Sequence, residues 1–228
     1  MSSKGWYPAG ISVLVQRNLE TIRRNLAPML LIQVAAGFLV WAYYNVLPIQ
    51  DWARWVGVAK SAGGLPAAFG AGFVAGGIVA EMAKLVTGRA RFDLGRSLWV
   101  GIVYGVIGIL VDLLYGLQAQ MFGHGTDLGT LTMKMSFDML VFTPFLSFPL
   151  AGALFAWRKS GYRMSFWRVA LRWSFYRDEI APTMPLGWAY WVPMVYLTYA
   201  LPLALQFPFS MLAEAAWSVL FVFMVAGE

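Results

Sequence analysis

Long apolar runs separated by short polar, basic segments set the pattern of this chain. Four runs are long enough to cross a bilayer: about 28–47, 65–86, 97–117 and 134–157. Some twenty residues at ~1.5 Å rise cover the ~30 Å of a hydrocarbon core. A fifth apolar region, 185–226, is too long for one span and is interrupted by Pro193, Pro202 and Pro208. It reads as a short half-inserted or interfacial segment at about 186–200 followed by a full span at about 206–226, with a hairpin of two spans as the competing arrangement. Two basic stretches flank the runs. In the first, Ile11, Val15, Leu19, Ile22 and Leu26 recur at helical spacing, with Arg17, Arg23 and Arg24 mostly off that stripe. In the second, 158–180, Met164, Trp167, Leu171 and Phe175 step at helical spacing, while Arg168 and Arg172 share another face with Arg163 close by. Both stretches predict amphipathic helices on a membrane surface, the second facing anionic lipid through Arg163, Arg168 and Arg172.

The predicted fold class is therefore an all-α integral membrane protein, a bundle of about five transmembrane helices plus interfacial amphipathic helices. Residues 1–65 supply the first amphipathic helix and an additional span; residues 66–228 form a four-span core. Composition agrees: of 228 residues, 60% are hydrophobic and 12% are charged, against about 25% charged in soluble domains. There is no cysteine, so disulfides, thiolate catalysis and Cys-based metal sites are excluded. Net charge is +6, but no nucleic-acid motif accompanies it, and anionic lipid is the expected partner. With five spans, thirteen of the loop Lys and Arg residues fall on one side and two on the other. The positive-inside rule then places the N-terminus on the matrix or cytoplasmic side and Glu228 opposite.

Small residues recur every fourth position at Ala68, Gly72, Gly76 and Ala80, and again at Gly101 and Gly105. Such stripes let helix backbones approach closely and are read as packing seams. Four carboxylates lie in or near spans: Glu81, Asp112, Asp138 and Glu214. An ionisable group at this depth faces protein or water. Glu81 sits at a helix end beside Lys84 and is read as structural. Asp112, Glu214 and Asp138 are the candidates for a pore or polar pathway. Lys134 and Asp138 are four apart and share a helix face, so an ion pair at the helix entry is expected. Pro144 is expected to bend the same helix so that it packs on the stripe at 68–80.

The stretch Lys134-x3-Asp138-x3-Phe142-x-Pro144 resembles the K-x3-D-Q-x2-F-A-P signature of the Mpv-seventeen and twenty-two-kilodalton peroxisomal membrane protein family, with Met139 in place of the Gln. Asp93-x2-Arg96-x-Leu98 is similar to the family's D-x2-R-x-L span entry. Gly108 and Tyr115 match its G-P-x2-H-x-W-Y, where Ile109, Asp112 and Leu114 depart. Trp191 and Pro193 resemble its W-P with one residue inserted, and Trp217 falls at its final W-N with Ser218 for Asn. The resemblance covers about 66–226 and implies a small-solute or ion channel of an organelle membrane, most naturally the mitochondrial inner membrane, with peroxisomal and bacterial inner membranes as other settings. The lost polar motif positions and the extra first helix suit an alternative: a non-catalytic accessory subunit packed into a larger membrane complex. No catalytic constellation and no metal-ligand cluster is evident. The chain is not expected to be an enzyme or to need a cofactor or metal beyond a bound anionic phospholipid. Its expected partners are membrane lipids and either other subunits or further copies of itself.

Overall fold

The computed structural model describes residues 11–88 and 93–225, with the side chains of 11–15, 17, 18 and 221–225 left aside. Arg89, Arg91, Glu228 and the Arg17 side chain, all used in the charge reading above, lie outside what is described. Among the described residues the regular structure is helical, and five helices are long and apolar enough to cross a membrane. The protein is an integral membrane α-bundle.

Helix α1 (Ile11–Asn45) joins the amphipathic stretch and the first span into one rod. Its outer face leaves Leu31, Val34 and Phe38 exposed, while Met29, Val40 and Ala42 are buried. Helix α2 (Leu47–Gly72) continues through a π-helical segment (Phe73–Ile78) into α3 (Val79–Val86). Those 40 residues would measure ~60 Å if straight, twice the hydrocarbon core. The chain resolves this at Gly64, whose φ of 54° breaks the helix. Only glycine adopts that backbone without a Cβ penalty, and Pro66 then opens the next turn. The crossing part is thus close to the expected 65–86. Residues 47–63, which the hydropathy leaves between spans, are a helix.

Helix α4 (Leu94–Phe122) runs antiparallel to the crossing part of α2 and to α3. The two small-residue stripes meet each other here. A Cβ on Gly108 would sit 2.7 Å from the Ala68 carbonyl oxygen, and one on Gly77 would sit 2.5 Å from Gly101 Cα. Gly105 and Gly101 make room for the rings of Phe69 and Phe73. The seam reading holds, but its partner differs from expectation: α4 fills the stripe at 68–80, not the helix bearing Pro144.

That helix comprises α5 (Leu128–Phe137), a ten-residue π-helical segment (Asp138–Ser147) and α6 (Phe148–Lys159). A π register bonds each N–H to the carbonyl five residues back. Pro144 has no N–H, so the Met139 carbonyl loses its donor. Trp188 Nε1 supplies one at 3.1 Å. In a membrane no water stands in for such a bond, so Pro144 and Trp188 are structurally linked. Widening into a π segment accommodates the proline, where a simple bend had been expected.

The basic stretch after Lys159 does not form the single interfacial helix expected. Gly161 (φ 73°) and Tyr162 (φ 60°) turn the chain. Short turns follow, including α7 (Trp167–Ala170) and α8 (Trp173–Phe175), separated by an extended Arg172. The aromatic residues explain the folding-back: Trp157 packs edge-on to Tyr162 and tilts against Trp167, and Phe166 meets Phe175. Arg163, Arg168 and Arg172 are exposed.

Helices α9 (Met184–Tyr199) and α10 (Leu203–Val225) complete the bundle. Gln33 Nε2 donates to the carbonyls of Ala189 (3.0 Å) and Tyr190 (3.2 Å), and the Tyr44 hydroxyl donates to that of Ala200 (2.5 Å). The constant offset along both helices means that α9 runs parallel to α1 at the same depth. With 16 residues it reaches ~24 Å, short of a full crossing, and it is the central core helix: Tyr190, Met194, Val195, Thr198 and Tyr199 are all buried. Tyr190 donates to the Ala213 carbonyl at 2.8 Å, so α10 returns antiparallel beside it. The prolines therefore separate a short helix, α9, from α10, which is long and apolar enough to cross a membrane, and the two form a hairpin. The end of α10 comes back to the face from which α1 enters. The expectation that Glu228 lies opposite concerns a residue outside those described.

Candidate functional site

Each sequence-derived candidate can now be placed. Glu81 joins two helices at the basic end of the bundle. It accepts from Lys84 Nζ at 2.8 Å and from Arg96 at 2.9 Å. Arg96 belongs to the span entry singled out above, and its amide is accepted by the Asp93 cap at 2.9 Å. That bond, aided by Arg158 at 3.6 Å, holds the Asp93 carboxyl below the usual carboxylate range. The Asp93/Arg96 pattern is therefore a helix start coupled to an interhelical clamp.

Asp112 has a partner that sequence proximity does not reveal. Lys60, across the break at Gly64, forms an ion pair with it. Lys60 also lies over the Phe207 ring at 5.4 Å. Both side chains are largely buried, Lys60 at 22% and Asp112 at 13% exposure. Asp112 is a clamp at the far end of the α2/α4 pair, matching Glu81–Arg96 at the near end. It does not line the central cavity.

Lys134 and Asp138 do not pair. Among the described residues no ion pair joins them within 4.0 Å, and both are buried, at 2% and 5% exposure. Their backbones share a face, but Asp138 begins the π segment, and its carboxylate is taken by Tyr199 of α9. The Tyr199 hydroxyl donates to Asp138 Oδ2 at 3.0 Å and accepts from Gln118 Nε2 at 2.6 Å. Thr143 adds a longer bond to Oδ1 at 3.4 Å. The Lys134 ammonium instead lies over the Tyr199 ring at 5.7 Å. Charge attracted to a ring face replaces the expected salt bridge.

Asp138 and Glu214 meet in one place. A cavity of about 130 Å³ inside the bundle is lined by both, together with Tyr104, Tyr115, Phe142, Phe148, Trp191 and Trp217, the hydroxyl residues Thr143, Ser147 and Ser210, and the small surfaces of Gly72 and Gly108. No Lys or Arg lines it. The polar bond to Glu214 comes from the Ser218 hydroxyl at 3.4 Å, one turn along α10. Tyr115 packs edge-on to Tyr199 at 5.4 Å, joining the wall to the Gln118–Tyr199–Asp138 chain. Small residues on α2 and α4, the π segment and the α9–α10 hairpin together leave this space.

Of the residues that carry the family resemblance, Gly108, Tyr115, Asp138, Phe142, Trp191 and Trp217 converge on the cavity wall. Pro144 sets the π register beside it, and Pro193 lies inside α9. Lys134, Asp93 and Arg96 are structural neighbours rather than lining. Sequence reasoning missed Gln118, Tyr104, Lys60 and the role of Tyr199. A lone Gln inside an apolar span was a usable signal for Gln118. A Tyr in a chain with ten of them was not. Among the described residues no cluster of His and carboxylates able to hold a metal is present. No protein-family model, curated protein or solved structure matches this chain.

Proposed function

We propose that the protein is a membrane conduit for small solutes or ions, with the cavity between α4, the π segment, α9 and α10 as its selective element. One observation carries the reading. Asp138 and Glu214, 76 positions apart in sequence, face one intramembrane cavity that no basic side chain lines. Two carboxylates held in such a place without a cation are costly. Asp138 is partly repaid by its bonds from Tyr199 and Thr143, and a passage for positively charged solutes uses both carboxylates. The motif resemblance points the same way and favours an organelle membrane, the mitochondrial inner membrane first.

The test is flux through liposomes containing only the purified protein. Flux of a monovalent cation, potassium or tetramethylammonium, above that of empty liposomes is expected, with at least a several-fold reduction in Asp138→Asn and Glu214→Gln. Asp112→Asn should alter flux only as far as it alters folding. Purified protein no leakier than lipid alone overturns the conduit reading.

The second reading is a structural accessory subunit. Its specific support is the run of exposed rings Phe38, Trp41, Trp52 and Trp55 on α1 and the first half of α2, a surface suited to a neighbouring subunit. Gentle solubilisation from the native membrane discriminates: constant co-purification with fixed partners supports this reading, and an isolated chain with flux supports the first.

A further inference from the structure

Resting on the conduit reading, we infer that the cavity's solute is a small organic cation, an alkyl- or quaternary ammonium, with Glu214 as its principal counter-charge and the aromatic wall as its cage. The argument starts from what each wall atom can offer. A bare inorganic cation must replace its hydration shell with several oxygen ligands. Here Asp138 already has both oxygens engaged, by Tyr199 and Thr143. Among the described residues Glu214 meets the long bond from Ser218. The remainder of the wall includes six aromatic side chains, from five helical segments, beside an equal number of aliphatic and Met side chains. Rings are poor substitutes for water around sodium or potassium. They are good ones around an ammonium that carries its own methyl groups, which gains from ring quadrupoles and from burial of its apolar shell at once. The protein already uses this contact internally, with Lys134 over Tyr199 and Lys60 over Phe207. An anion is disfavoured by two carboxylates with no basic residue on the wall.

The experiment is isothermal titration calorimetry of tetramethylammonium chloride into the purified full chain in detergent, at constant ionic strength in sodium chloride. Saturable binding is expected, weakened about tenfold or more in Glu214→Gln and in Phe142→Leu. Melting curves must first show both variants folded; if Glu214→Gln fails there, Phe142→Leu carries the test. Binding in the presence of sodium, lost in the variants, supports the inference even where liposomes show no flux, in which case the conduit reading alone falls. Flux of potassium without tetramethylammonium binding overturns the inference and leaves the conduit. Binding that both variants leave unchanged, or that sodium abolishes at equal concentration, overturns it as well.

Discussion

Lys134 and Asp138 show how one missing contact redirects a prediction. Were they an ion pair, removing both would cost much less than the sum of the single changes. Asp138 is held by the Tyr199 hydroxyl and by Thr143, while Lys134 lies over the ring of the same Tyr199, so the two couple only through that shared neighbour and not as a charge pair. In thermal unfolding, Lys134→Met and Asp138→Leu should come close to additive, with little recovery in the double variant. Asp138→Leu orphans the Tyr199 hydroxyl and should cost about 1–3 kcal/mol, whereas Asp138→Asn keeps an acceptor there and should cost clearly less. The opposite behaviour belongs to Lys60 and Asp112. Lys60→Met leaves a largely buried carboxylate alone and should cost about 1–3 kcal/mol, below the ~3–5 kcal/mol of full burial. Adding Asp112→Leu should restore most of it; a purely additive pair would mean that the two charges are not coupled.

At the level of elements, the π segment makes a coupled prediction. Trp188→Phe removes the donor to the Met139 carbonyl and should destabilise by about 1 kcal/mol, the low end for an orphaned group, since Trp188 is partly exposed. Pro144→Ala returns a backbone N–H at the position where one is missing. In that background Trp188→Phe should cost much less. Equal costs in both backgrounds would separate the two residues. On the α2/α4 seam, Gly108→Ala brings a methyl within 2.7 Å of the Ala68 carbonyl, and such overpacking should cost about 1–3 kcal/mol. At the far loop, Asp127 caps α5 by accepting from the Thr130 hydroxyl (2.6 Å) and amide (3.0 Å), which hold its carboxyl below the usual range. A depressed folded value means the cap is fully effective above ~pH 3.9, the unfolded pKa, and fades as pH falls through the lower folded one. Protection of the first-turn amides of α5, taken relative to their intrinsic exchange rates, should fall only on that acid side, and in Asp127→Ala at every pH.

For the whole molecule the testable quantity is sidedness. A label in the basic segment near residue 170 and one at the end of α10 should report the same face of the membrane, and a label at Gly123–Gly125 the other. The first pairing follows from the parallel run of α1 and α9 and the return of α10. Finding the end of α10 on the side of Gly123 would mean that α9 does not enter the membrane as the hairpin requires.

The amino-acid sequence by itself determined the class of this protein. Hydropathy over twenty-residue windows reports transfer into lipid, a property each segment has independently, and it located the five long helices. The four-residue spacing of Ala68, Gly72, Gly76 and Ala80, or of Gly101 and Gly105, likewise announces a close helix contact, because only the local absence of side-chain volume is needed. Which helix fills the seam is not a local property, and α4 against α2 became visible only in three dimensions. The same holds for charge. Asp112 has no basic neighbour along the chain, yet the break at Gly64 delivers Lys60 to it. Lys134 and Asp138 look paired on a helical wheel, yet Tyr199, 61 positions away, takes the carboxylate. The prolines of the last region marked an interruption without its direction, since Pro removes a hydrogen bond but does not say where the chain turns. The cavity was legible only as isolated carboxylates and aromatics. Its existence depends on how six helical segments pack around it, and that is decided by tertiary packing alone.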